Sequence, residues 1–369
     1  MPIVKNDVKF EYPPTVNNFD LIRLFAAIQV LILHVFVHFN LYGINPVLDF
    51  FFDNILSYFP GVPIFFFISG FLIFWSFDRN FKDVKKFYLN RILRIYPALW
   101  VCFLFTLFVL FSYNQVNLNS FLNLKFLVWI GTQLTFFQFW TPDILKNFGL
   151  GNPNGVLGTI SVELQFYLII PLIYKMIKKS KIYLLLIILI SLLINYFAKT
   201  SFNHESSIYK IASVCIFSYL FYFCLGIAAF IYFHKFKFYL ENYFSTILAV
   251  YVGFFVIFSH ILRAYSPSYW PNIVETIAYL LLCCVIVSFA FNFSGLSQKI
   301  LRNVDLSYGI YIYHGVLLNI FIVNRLFSYA YLILFMSISV LLACFSWFFV
   351  EKYFISLKNL RKNKSRGIV

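Results

Sequence analysis

The sequence predicts an all-α polytopic membrane protein with about ten transmembrane helices, for three reasons. First, 62% of its 369 residues are hydrophobic and only 12% are charged, whereas soluble domains are about half apolar and about a quarter charged. Second, the apolar residues occur in runs of about 20, which is long enough to cross a hydrocarbon core of roughly 30 Å. Third, the short alternating segments of an outer-membrane barrel are absent from the sequence.

The predicted spans form a single membrane domain, residues 18–352, because no Pro-, Gly- or Ser-rich linker and no repeat of roughly 20–50 residues divides the sequence. A short N-terminal segment, 1–17, and a basic tail, 353–369, flank this domain. The ten spans are 18–40, 59–77, 93–113, 155–175, 182–199, 212–234, 243–262, 273–292, 305–324 and 329–350.

The distribution of positive charge predicts that both termini lie in the cytoplasm. The chain carries 29 Lys and Arg and a formal net charge of +15. With a cytoplasmic N-terminus, six of these basic residues fall in outer segments and 22, Arg23 aside, fall in inner segments or helix ends. This asymmetry follows the positive-inside rule. The charge therefore indicates topology and a lipid bilayer as partner, and it gives no support for nucleic-acid binding.

Residues 78–94 form the strongest basic cluster of the sequence. Lys82, Lys85, Lys86 and Arg91 alternate with apolar residues in a roughly helical pattern. Two interpretations stay open from these residues alone: an interfacial helix on the anionic inner leaflet, or a cytosolic surface that binds phosphate.

The segment 121–140 is apolar enough to span, but a span here would place Lys175–Lys181 on the outer side. We therefore expect an interfacial or re-entrant segment on the outer face. The outer loop that follows, Trp140–Val156, is rich in the glycine and proline that favour turns, and it leads directly into the fourth span.

The first span carries ionisable residues that a lipid-facing helix would lack. Arg23 and His34 are 11 residues apart, so they return to nearly the same helical face, about 16 Å apart along the axis. His38 lies near the same stripe, closer to the membrane interface. Ionisable groups inside a span usually face a protein interior or a wet cavity and mark a functional path. The first span is therefore predicted to contribute to a site.

Two further ionisable residues lie inside later spans. Glu163 is in the fourth span at a depth similar to that of His34, and His314 is near the middle of the ninth. Neutral histidine suits a general base, and a carboxylate can orient the imidazole or stabilise its protonated form. We expect His34, Glu163 and His314 to form an acid/base cluster, with Arg23 nearer the cytoplasm.

The residues alone leave alternatives open. His34 could be a packing histidine that bonds across helices, and Arg23 could pair with Asp20 at i, i+3. At the level of function, a transferase and a transporter with a proton-coupled His/Glu relay both fit the buried groups. Inverted, Gly/Pro-interrupted repeats would favour the transporter, and we find no clear pair. A catalytically idle scaffold would leave the buried charges without a reason.

No metal is predicted. All six cysteines fall inside predicted spans, and none has metal-ligand or redox spacing. The sequence also lacks a P-loop, a zinc signature and a Gly-x-Ser-x-Gly elbow. Any chemistry must therefore use side chains that converge from separate helices.

Five motifs resemble, in order, those of the acyltransferase-3 family of integral membrane O-acyltransferases. Each motif is weak alone, but the series is specific. The motifs are Asp20-x-x-Arg23 with His34; Pro60–Ile73 (PGVPIFFFISGFLI); Arg91-x-x-Arg94 with Tyr96-Pro97; Glu163 with Phe166 and Tyr167; and Ser307-Tyr308, Tyr311 and His314. One departure is Gly158-Thr159, where the family often has Trp-Ser before the glutamate segment, which puts local acceptor or acyl-chain contacts in doubt.

The resemblance implies a function and roles for the residues. Acyl-CoA, with acetyl-CoA as the expected donor, would approach from the cytoplasm, with Arg91 and Arg94 on its phosphates and Arg23 assisting. His34 would act as general base on a hydroxyl of an extracytoplasmic glycan, with Glu163 and His314 in support. The expected protein is thus an inner-membrane O-acyltransferase of a cell-surface polysaccharide, such as an O-antigen, or of a lipid-linked glycan.

Overall fold

The computed structural model describes residues 10–201, 214–263, 273–293 and 295–357. Within these ranges the regular elements are helices, joined by turns and loops, and no strand occurs. The prediction of an all-α protein is confirmed. The predicted terminal segments fall partly outside these ranges, at 1–9 and 358–369.

The longer helices follow the predicted spans closely. In chain order the helices are α1 (Phe19–His38), α2 (Pro46–Phe51), α3 (Gly61–Asp78), α4 (Val84–Ser112), α5 (Leu124–Leu134), α6 (Gly158–Lys179), α7 (Ile182–Ser201), α8 (Leu220–Asn242), α9 (Phe244–Phe255), α10 (Ile273–Asn292), α11 (Leu296–Leu301), α12 (Ser307–Val323) and α13 (Tyr329–Ser346). Short π-helical turns extend α2 to Leu56, α9 to Ile261 and α13 to Glu351.

Eight helical segments within the described ranges are long and apolar enough to cross a membrane. The protein is therefore a polytopic membrane protein. The predicted span 182–199 lies within α7, and the predicted span 305–324 corresponds to a shorter apolar helix, Ser307–Val323. With 17 residues, α12 is about 25 Å long, so it falls just short of a full span.

One predicted span is displaced along the chain. The span predicted at 212–234 is a helix at Leu220–Asn242, and residues 212 and 213 lie outside the described ranges. Before Leu220 the backbone forms a 3-10 turn, Ile216–Ser218, whose first amide donates to the Gln165 side chain at 3.0 Å. Hydropathy does not show such a long-range hydrogen bond. The start of the helix predicted from hydropathy was therefore too early.

The basic cluster 78–94 is continuous with a long apolar helix, and both interpretations of the cluster stay predictions. From Val84 onward it forms the first turns of α4, a single helix of 29 residues. The segment 121–140 contains α5, whose 11 residues extend only about 16 Å. That length agrees with the prediction that this segment does not cross the membrane. Its interfacial or re-entrant position stays a prediction.

The chain divides into two compact units that are interleaved along the sequence. The first comprises residues 1–23, 57–84 and 165–302, and the second comprises residues 24–56, 85–164 and 303–369. Because each unit is assembled from separate stretches of chain, no linker marks a boundary in the sequence.

In the first unit, α3 and α8 pack at backbone contact. A Cβ added to Gly70 would lie 1.9 Å from the Phe223 carbonyl oxygen, and one added to Gly226 would lie 2.0 Å from the Phe67 carbonyl oxygen. The two glycines are thus reciprocal. Close helix approach through small residues is typical of membrane proteins, where packing replaces the hydrophobic effect as the driving force.

In the second unit, α12 is the buried helix. Thirteen of its 17 residues are buried, as expected for a helix that is apolar on every side. It packs on α13, where a Cβ at Gly309 would lie 2.8 Å from the Ala343 Cα. This burial places His314, in the middle of α12, among protein side chains.

Candidate active site

His314 is held in one tautomer by its own helix. Its side chain is fully buried, and Nδ1 lies 3.1 Å from the carbonyl oxygen of Ile310, one turn earlier. Since a carbonyl only accepts, Nδ1 carries the proton and Nε2 presents a lone pair. Within the described part of the chain, Nε2 has no hydrogen-bond partner. A buried acceptor left without a partner is unusual, which singles out this nitrogen.

His34 faces His314. Their ring centroids are 5.2 Å apart and the rings meet edge to face at 61°. His34 is half-buried on α1, so it is the more accessible of the two imidazoles. His38 follows one turn later, with its ring centroid 6.0 Å from that of His34. The structure therefore brings together two histidines that are 280 positions apart in the sequence.

A pair of hydroxyl groups extends this site toward α6. The Tyr311 and Thr159 hydroxyl oxygens are 2.6 Å apart, and the Tyr311 ring centroid is 5.7 Å from that of His314. Thr159 donates its only hydroxyl hydrogen to the Val156 carbonyl at 3.0 Å, so Tyr311 is the donor between the two hydroxyls. The sequence pattern drew attention to Tyr311 and Thr159 separately and gave no sign of this contact.

Glu163 lies on the same side of α6 as Thr159, because residues four apart share a helix face. Its side chain is half-buried. The three predicted acid/base residues thus belong to the second unit, with the His34–His314 pair in direct ring contact and Glu163 one helical turn from the Thr159–Tyr311 pair. Their catalytic roles stay predictions.

The loop before α6 is fastened to α12 by two buried asparagines. The Asn319 amide donates to the carbonyls of Asn152 and Pro153, at 2.9 and 3.0 Å, and accepts from the Leu150 amide at 2.8 Å. The Asn154 amide donates to the Ile312 carbonyl at 2.9 Å. These bonds lie on either side of His314 along α12, so they fix the turn that carries it.

Two glycines allow this close approach. Gly149 has φ +56°, and a Cβ there would lie 2.0 Å from Asn319 Oδ1. A Cβ at Gly315 would lie 2.2 Å from Asn154 Oδ1. The glycine content of the loop predicted turns. The loop sequence alone could not predict that Gly149 also lets the loop pack against α12.

Arg94 belongs to α4, and its side chain lies near the N-terminal end of α12. Its guanidinium forms an ion pair with Asp305, and Asp305 precedes the first residue of α12, Ser307, by two positions. Ser307 and His314 are seven residues apart, about 10 Å along the helix. Arg94, the cation expected at the donor site, therefore lies near the start of α12, whereas the buried His314 imidazole lies about two turns further along that helix.

The other two predicted cations have local partners. Arg91 lies on α4, and its guanidinium is 5.7 Å from the ring centroid of Phe87. Arg23 pairs with Asp20, which is the i, i+3 alternative that the sequence left open. Arg23 belongs to the first unit and Arg91 to the second.

Metal ligands are not gathered anywhere in the described ranges: no group of three or more His, Cys, Asp or Glu side chains there is placed to hold an ion. The chemistry that the observed groups can perform is proton transfer by imidazole, assisted by hydroxyl and carboxyl groups, next to an arginine suited to phosphate.

Fold and site together define a multi-pass membrane protein with acid/base groups buried among its helices. The chain belongs to the acyltransferase family defined by the acyltransferase-3 domain, whose profile matches residues 16–351. It is therefore a membrane O-acyltransferase. This membership confirms the family resemblance and counts against the transporter.

Three known proteins are similar to this chain in sequence. Nodulation protein 10 of Rhizobium leguminosarum bv. viciae is 29% identical over 350 residues, which is 93% of this chain and 94% of the relative. Acyltransferase MdmB of Streptomyces mycarofaciens is 32% identical over 32% of this chain and 29% of its own length. Peptidoglycan O-acetyltransferase OatA of Listeria monocytogenes is 28% identical over 37% of this chain and 23% of its own length. No solved structure matches the chain.

Proposed function

We propose that this enzyme moves an acyl group, most simply acetyl, from cytosolic acyl-CoA to a hydroxyl of an extracytoplasmic polysaccharide or lipid-linked glycan. The observation that carries the proposal is the His34–His314 pair, 5.2 Å between ring centroids, with one buried Nε2 lacking a partner in the described ranges. The peptidoglycan O-acetyltransferase among the relatives supports an acetyl donor and a glycan acceptor.

In the proposed reaction His34 is the general base. It accepts the proton of the acceptor hydroxyl while that oxygen attacks the thioester carbonyl carbon. The carbon–sulfur bond then breaks, the new ester is released, and the proton passes from His34 to the CoA thiolate. His314, with its proton fixed on Nδ1, supports this step as a hydrogen-bond acceptor. Glu163 supports it from α6.

The donor enters near the N-terminal end of α12, where Arg94 pairs with Asp305. Arg94 and Arg91 contact its phosphates, since guanidinium groups bind phosphate through several donors at once. The pantetheine arm then carries the thioester toward His34. The charge asymmetry supports an entrance on the cytoplasmic side of the inner membrane and an acceptor on the outer side.

Two measurements test the proposal. Mass spectrometry of surface glycans from cells with and without the gene should show an acyl increment, most simply one acetyl group, that depends on the gene. Purified enzyme in nanodiscs should release CoA from acetyl-CoA when an acceptor glycan is present. Identical glycan masses in both strains, together with no CoA release on any glycan tested, would refute it.

A further inference from the structure

Arg94 already has a negatively charged partner inside the protein. Asp305 forms an ion pair with it, and the Glu351 carboxyl lies within electrostatic range of both Arg94 and Asp305. The Arg94 side chain is 27% exposed and that of Asp305 is 9% exposed. A phosphate that approaches this guanidinium therefore meets a cation that already has a carboxylate partner in a largely dry environment.

Asp305 is fixed in its position by the start of α12. One oxygen, Oδ1, accepts from the Ser307 amide at 3.2 Å and from the Ser307 hydroxyl at 2.5 Å. The other, Oδ2, accepts from Arg94. Because both oxygens are engaged, Asp305 cannot swing away without losing its hydrogen bonds to Ser307 and Arg94. Its negative charge is therefore a permanent feature of the Arg94 environment.

Glu351 adds a second buried carboxyl from the end of α13. It is 2% exposed, and Oε1 accepts from the Ser346 hydroxyl at 2.8 Å. Its Oε2 has no hydrogen-bond partner among the described residues. A buried carboxyl oxygen without a partner destabilises a structure unless it serves another purpose, and here it lies beside the cation expected to bind the donor.

We infer that Asp305 is a positioning residue that acts through Arg94 to weaken the binding of the donor phosphates. The inference rests on the proposed function. The product CoA carries the same phosphates as acyl-CoA, so any affinity gained for the donor would also slow release of the product. Interactions that bind substrate and product alike do not accelerate the chemistry. A resident carboxylate thus favours turnover over tight binding.

The test is the kinetics of Asp305→Asn in phosphatidylcholine nanodiscs, where no anionic lipid competes for Arg94. We expect the KM for acetyl-CoA to fall at least about fivefold and kcat to fall as product release slows. S-acetylpantetheine, which lacks phosphates, should show no such fall in KM. The difference should shrink at high salt, because screening weakens charge interactions. A damaged site would raise KM, so a lower KM distinguishes this role from a structural one.

Asp143→Asn is the matched control. Asp143 also pairs with a cation, Lys146, at 2.6 Å, and the hydrogen bond from Lys146 lowers the pKa of Asp143, so this substitution likewise removes an ionised carboxylate, but in an exposed loop. Its KM should equal that of the wild type. If Asp305→Asn does not fold, Asp305→Ser replaces it, since the serine hydroxyl can accept from the Ser307 amide and carries no charge.

The outcomes are separable. If the wild type does not consume acetyl-CoA, the proposed function fails. If the wild type does so, but the folded Asp305 variant has an unchanged or higher KM, the proposed function stands and this inference is overturned.

Discussion

The two imidazoles of the site differ in what their nitrogens can do. His314 has its proton on Nδ1, bound to its own helix, and an acceptor nitrogen that lacks a partner in the described structure. His34 is half-buried and lies on a different helix. The accessible ring is therefore suited to take a proton from a substrate, and the enclosed ring is suited to accept a hydrogen bond without moving.

This difference predicts that His34→Ala will abolish most of the activity. General-base catalysis contributes about 10²–10⁴-fold, so kcat should fall by at least about a hundredfold. His38→Ala is the matched control, because it removes a second imidazole from the same helix, 6.0 Å away, and should change kcat by less than about fivefold. The measurement is acetyl-CoA consumption by purified, correctly folded variants. Equal losses in both variants would contradict the assignment of the base.

The candidate site was only partly predictable from the sequence. Helical periodicity and the rarity of buried charge singled out His34, Glu163 and His314, since both signals are local. The Thr159–Tyr311 contact joins residues 152 positions apart, and the Arg94–Asp305 pair joins residues 211 positions apart. Both depend on which helices become neighbours, and neither periodicity nor hydropathy contains that information.

At the scale of helices and loops, two packing devices stabilise the structure, one within each unit. The first is the glycine contact between α3 and α8, where a Cβ at Gly226 would lie 2.0 Å from the Phe67 carbonyl oxygen and 2.7 Å from the Phe71 amide. Backbone atoms cannot move aside as side chains can, so a methyl group here must force the two helices apart.

We therefore expect Gly226→Ala to lower the free energy of unfolding by about 1–3 kcal/mol, the usual effect of overpacking. Gly253→Ala, in α9, is the control: its added Cβ would meet nothing within 4 Å, and alanine favours a helix. Thermal unfolding in detergent measures both. An unfolding temperature for the Gly226 variant at or above that of the Gly253 variant would argue against the contact.

The second device is the fastening of the loop before α6 by Asn319. Asn319→Asp removes the amide donor and places a negative charge against the carbonyls of Asn152, Pro153 and Gly315. Unsatisfied buried groups cost about 1–3 kcal/mol each, so the loop should detach and become sensitive to protease. Asn324→Asp, at the exposed end of the same helix, should leave the loop protected. Limited proteolysis followed by mass spectrometry locates the cut, and equal cleavage of the two variants would disprove this role for Asn319.

At the scale of the whole molecule, composition and hydropathy predicted most of the fold. The spans 18–40 and 273–292 match Phe19–His38 and Ile273–Asn292 within two residues, because apolar runs bounded by polar residues leave little freedom in a membrane. The prediction failed where tertiary hydrogen bonds set a boundary, as at Leu220. The interleaving of the two units was equally hidden, since no local signal marks it.

The orientation of the chain is the remaining whole-molecule prediction. The positive-inside rule places the loop with Lys146 outside and the tail with Ser356 in the cytoplasm. Both side chains are exposed, so cysteines there should react freely with maleimide. In intact spheroplasts, a membrane-impermeant maleimide should label Lys146→Cys, whereas Ser356→Cys should react only after permeabilisation. The wild type, whose six cysteines lie in or near helices, provides the background. Reversed labelling would indicate the opposite orientation, with Arg91 and Arg94 on the side without acyl-CoA. This experiment therefore tests the donor route together with the topology.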